Sequence, residues 1–104
     1  MTEPRSELCL TLLCPPAVEE KLLDLLLMLS STTVFTSTST AAHGLVADNL
    51  SQTEQVMGRA QTTEIQVIFA AIDKAALLDA IRQQFAGAGL RYWLTLVVEA
   101  GEIA

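Results

Sequence analysis

At 104 residues, with twelve acidic side chains against six basic ones and a net charge of −6, the chain is one acidic domain. Its six basic residues are scattered, which argues against a nucleic-acid surface and against anionic membranes, since both demand a basic stripe opposite phosphate. With 51% hydrophobic and only 17% charged residues, the chain holds more apolar side chains than one small core hides, so a further buried surface is expected and self-association supplies it best.

The longest apolar stretch, Leu22 to Leu29, contains Asp24 and falls well short of the roughly 20 residues of a membrane span. MTEPRSE at the start lacks the basic region and apolar run of a signal peptide, so a cytoplasmic location is expected. Cys9 and Cys14 are too few for a disulfide scaffold and are expected to stay reduced there.

In chain order, residues 7–13 (ELCLTLL) read as a strand apolar on both faces. Pro15-Pro16 ends it and opens a helix reaching about Leu29, because proline tolerates a first helical turn. Val18, Leu22, Leu25, Leu26 and Leu29 form its apolar stripe, and Glu19 and Glu20 suit the positive end of its dipole. Residues 33–42 (TVFTSTSTAA) are a β-branched, hydroxyl-rich strand whose hydroxyls satisfy one another or face neighbouring subunits.

The segment from His43 to about Gln61 shows neither two-residue alternation nor a clean helical stripe. Compact domains seldom keep a connection of this length without a use for it. Residues 62–72 (TTEIQVIFAAI) make the strongest strand, with Ile65, Val67 and Phe69 on one face and Gln66, Ile68 and Ala70 on the other. Asp73 is the expected N-cap of a helix over 74–86 with Leu77, Leu78, Ile81 and Phe85 inward, and Gly87-Ala88-Gly89 stops it. A last strand, 90–99, places Tyr92 and Trp93 on opposite faces.

The order β-α-β, long loop, β-α-β predicts an α+β ferredoxin-like βαββαβ domain over 1–104: a four-stranded antiparallel sheet with both helices on one face. Strands 1, 3 and 4 read as apolar on both faces, so the bare side is expected to meet other copies, three of them around an axis. In this topology the end of strand 1, the long loop and the turn before strand 4 share one end of the sheet. Cys14, the 43–61 segment and Gly87 to Arg91 should therefore converge.

Several segments carry a resemblance to a known family: Leu10 to Pro15, the Ser/Thr strand running into Ala42-His43-Gly44, SQTEQVMGR (Ser51 to Arg59), and Arg91 to Glu99. Together they resemble the PII-like superfamily of nitrogen-regulatory PII and CutA-type trimers. The nearest likeness is to a PII-like group that accompanies RND-type heavy-metal efflux systems. The resemblance implies a homotrimeric signalling protein whose 43–61 segment is the counterpart of the T-loop, with an adenine nucleotide or a transition-metal ion as effector and a membrane transporter as partner. Gly87 to Arg91 then corresponds to the phosphate-holding turn, but with a single arginine and no glycine- and lysine-rich cradle. The loop also lacks the tyrosine that is modified in some relatives.

Individual residues keep two readings. His43 is a strand-end histidine, or with Gly44 as hinge a soft-metal ligand; Cys14 is a buried thiol, or a ligand activated by the following helix N-terminus. One such residue per subunit completes a metal site only when a trimer multiplies it. Gly58 with Arg59 reads as an anion grip or a solvated loop base, and Arg91, next to Gly87 and Gly89, as an anion contact or an ion pair between subunits. Cys9, in mid-strand, is packing. No nucleophile–base pair, carboxylate dyad or Walker-type loop occurs, so no enzyme activity is expected. Two functions follow: a trimeric regulator with effector clefts between subunits, or a CutA-like protein that binds a divalent or soft metal directly.

Overall fold

The structure, a computed structural model, describes residues 6–29, 34–44 and 59–104. Its elements run β1 (Glu7–Cys14), α1 (Glu19–Met28), β2 (Phe35–His43), β3 (Arg59–Ala70), α2 (Lys74–Phe85) and β4 (Arg91–Val97). The strands form one sheet in the order β2-β3-β1-β4, and every neighbouring pair is antiparallel. This is the ferredoxin-like arrangement expected from the sequence.

Alternation decides which side chains meet the helices. Leu10 and Leu12 of β1 and Ile65, Val67 and Phe69 of β3 are buried on the helix side, with Leu22 and Leu26 of α1 and Leu77, Leu78, Ile81 and Phe85 of α2. The rest of the expected α1 stripe, Val18, Leu25 and Leu29, packs partly buried around this cluster. Both helices open on a single 3-10 turn, Pro16–Val18 and Ala71–Asp73. Asp73 does stand at the N-cap position of α2, but its side chain makes no capping bond. In the preceding turn the Lys74 N–H donates to the Ala71 carbonyl, and the Ala71 N–H donates to the Ser6 carbonyl at 2.9 Å. Gly87 and Gly89, at φ +80° and +79°, end α2 in the left-handed region that glycine tolerates best.

The bare side of the sheet differs from expectation. Its central row runs Thr36, Gln66, Thr11, Trp93, and the next runs Thr38, Glu64, Leu13, Arg91. Hydroxyls, an amide and two charges thus share the face with Trp93, Leu13, Cys9 and Ile68. Strands 1, 3 and 4 are not uniformly apolar on that side. Thr11 is nevertheless only 2% exposed, because its row neighbours Trp93 and Gln66 flank it on the central strand.

The long connection is shorter than the sequence indicated. β3 begins at Arg59, and Ala41, Ala42 and His43 pair with Gln61, Ala60 and Arg59. Gly-Arg-Ala-Gln carries no alternating hydrophobic signal, so the sequence hid this strand start. β1 ends opposite Thr63. Beyond it, residues 40–43 and 59–62 form a two-stranded stem projecting roughly 13 Å past the body. The connection proper is 44–58, of which 45–58 lie outside the described residues.

Candidate functional site

A cleft of about 310 Å³ opens at the stem end of the sheet. Three segments make it: Leu13 to Pro16 leaving β1, the stem residues Ala42 and Ala60 to Thr62, and the turn Gly87 to Gly89 with Arg91. This is the convergence the topology demanded, and Cys14, Gly87, Gly89 and Arg91 all line it.

Each wall has a local cause. Pro15 and Pro16 turn the chain sharply out of β1 into the first helical turn, leaving their rings on the surface. On the stem, Ala42 and Ala60 form a register pair of small side chains, 7% and 5% exposed, which leaves space where larger residues would fill it. Thr62 Oγ1 donates to the Ala60 carbonyl at 3.3 Å, fixing the hydroxyl against the stem. A Cβ at Gly87 or Gly89 would meet nothing within 4 Å, so backbone conformation alone demands glycine there.

Among the described residues lining the cleft, Arg91 alone is charged. Its guanidinium is exposed at the start of β4 and offers a planar pair of donors to one carboxylate or one phosphate. Gln61 and Thr62 add neutral polar groups. With one cation and walls of alanine, proline and glycine, the cleft suits a compact anion with an apolar portion.

The surroundings of Cys14 favour the neutral thiol over the thiolate a metal ligand needs. Burial, and secondarily the Glu19 carboxylate, push its thiol up from 9.0 to about 11. The helix N-terminus fails to lower it because the side chain is 1% exposed and the first turn sets Glu19 beside it. The consequence for stability has a definite sign. Below pH 9.0 the thiol is protonated in both states and has no effect. Between 9.0 and about 11 the unfolded chain has released a proton that the native chain keeps, so stability falls as pH rises. Alkaline denaturant titrations should show a decline on the order of 2 kcal/mol that is absent from Cys14→Ser.

His43 is exposed at the far end of the stem. Cys14 stands level with Thr63 and Ser39, so His43 is four residues further along and two strands across, roughly 16 Å away. The two therefore cannot hold one ion within a single chain. Among the described residues no three His, Cys, Asp or Glu side chains come together. Gly44, at φ +78°, follows His43 and lies outside the cleft lining. Arg59 is placed by its backbone opposite His43, whereas its side chain and Gly58 lie outside the described residues.

Sequence reasoning overlooked Ala42, Ala60, Gln61 and Thr62. The available signal was their position, since any extension of the β2–β3 hairpin puts its stem beside the β1 exit.

Solved structures share this fold. A DUF3240 family protein from Shewanella baltica OS155 superposes with a TM-score of 0.79 at 18% identity, over 94% of this chain and 97% of that one. A protein described as PII-like and signalling, from Thermus thermophilus, gives 0.64 at 14% identity over 89% and 88%. The GlnK–ATP complex of B. subtilis gives 0.67 at 11% over 92% and 85%. No curated protein matches the chain. The family profile described as "Protein of unknown function (DUF3240)" matches residues 5–104, and the chain belongs to that family.

Proposed function

We propose that the protein is a PII-like regulator, a homotrimer whose clefts take a small anionic effector and whose 44–58 connection engages a partner. One observation carries this reading: the cleft wall is the stem of that connection. A ligand held by Arg91 against Ala42, Ala60 and Thr62 bridges the body to the stem. Occupancy then restrains the base of the loop, which is the kind of segment ordering used by many switches. The partner is a membrane transporter of the metal-efflux class, a choice that rests on the sequence resemblance. The solved GlnK–ATP complex supports a nucleotide as the effector, and Arg91, the one cation among the described lining residues, favours a monophosphate over a triphosphate.

The trimer reading is supported by the bare sheet face, where Trp93 remains 44% exposed beside Leu13, Cys9 and Ile68. Light scattering should give three times the 11.2 kDa chain mass, about 34 kDa. A lone 11.2 kDa species would overturn the trimer reading.

Calorimetric titration with orthophosphate, AMP, ADP and ATP tests the ligand class. Affinity is expected not to rise from AMP to ATP, and Ala60→Leu should weaken AMP binding at least about tenfold by filling the wall. A steep gain with each added phosphate, or unchanged binding in Ala60→Leu, would place the ligand elsewhere. The direct metal-binding reading gains nothing from the raised Cys14 thiol and the distant His43.

A further inference from the structure

A second concavity, about 240 Å³ in volume, lies on the helix side between the end of α2 and the start of β4. Leu78, Ile81, Phe85, Leu90 and Tyr92 line it. Arg82 also lines it, donating to the Tyr92 hydroxyl at 3.1 Å, with its guanidinium carbon 6.0 Å from the Tyr92 ring centre. Asp79 pairs with Arg82 at 3.7 Å, but both side chains are more than half exposed, so that exposed pair can exchange for another anion at little cost.

The chain carries a segment of matching chemistry. After β4, residues 98–104 (VEAGEIA) are exposed, with Val98 and Ile103 each at 101%. Two bulky apolar side chains thus touch nothing of their own fold, and Glu99 and Glu102 stand beside them. The tail leaves from the Val97 end of β4, whereas the groove sits near Tyr92, five residues and roughly 17 Å back. To enter its own groove the tail would have to reverse direction, a constraint that a second copy's tail does not carry.

We infer that the 98–104 tail of one copy docks in the α2–β4 groove of a second copy, with Ile103 against Phe85 and Leu90 and Glu102 at Arg82. Apolar faces and opposite charges then match on both sides of the contact. Each copy gives a tail and receives one, a head-to-tail arrangement that closes into a ring. This contact lies away from the bare sheet face, and the groove meets the anion cleft only at the Gly87 to Gly89 turn.

The test is photo-crosslinking from p-benzoylphenylalanine at position 103 in the full chain, mixed with isotope-labelled copies lacking the probe. Crosslinks are expected to join residue 103 to Leu78, Ile81, Phe85, Leu90 or Tyr92 of a labelled copy, sites that line the groove and not the anion cleft. Arg82→Glu should reduce their yield several-fold, and Glu102→Arg in the same chain should restore it. Crosslinks only within one copy, to the bare sheet face, to the anion cleft, or none above background would overturn the inference, as would a yield insensitive to Arg82→Glu.

Discussion

Phe69→Ala is expected to lower stability by about 4 kcal/mol, the largest loss of any single truncation in the domain. Phe69 is 1% exposed on the helix side of β3, one of the two inner strands of the sheet. Truncation removes its transfer energy and leaves a cavity that neither strand nor helix can close. A domain of this size holds about 5–15 kcal/mol in total, so the denaturation midpoint should fall by about a third or more. Urea titration followed by circular dichroism measures it. A change below about 1 kcal/mol would mean that the core is not centred on β3.

The largest functional effect is expected at Arg91. Arg91→Gln keeps a polar side chain of similar reach but removes the one charge among the described residues lining the cleft. Losing a charge-assisted, two-pronged contact is worth about 1.5–3 kcal/mol, or roughly 10- to 100-fold in affinity. Calorimetry with AMP measures this, and the urea midpoint should barely move because the side chain is exposed. Equal affinities for Arg91→Gln and the native protein would deny Arg91 its role as the anion contact.

Much of the fold was legible from periodicity. The stripes of α1 and α2 and the inward row Ile65, Val67, Phe69 gave two helices and the strongest inner strand, and element order then left one common topology. The end of the sheet where the site lies followed from that topology without any motif. Three features stayed hidden for physical reasons. The stem Ala41–His43 with Arg59–Gln61 is built of small and polar residues, which pair through backbone bonds and leave no hydropathy signature. The bare face mixes Thr11, Gln66 and Glu64 with Trp93 and Leu13, and a strand read alone cannot reveal which residues its neighbours set beside it. Of the two readings of Cys14, the sequence could not weigh one against the other, because helix position argues for a lowered pKa whereas burial and Glu19 raise it. The gap between Cys14 and His43 likewise depends on register, which a single sequence does not disclose.

The coupling of cleft to loop is best tested by amide hydrogen exchange with and without saturating AMP. The amides of the stem, residues 40–43 and 59–62, should exchange more slowly when ligand is bound, while those of Leu10, Leu12 and Val67 in the sheet centre stay unchanged. Bound AMP with no slowing anywhere in the stem would contradict the claim that filling the cleft restrains the loop.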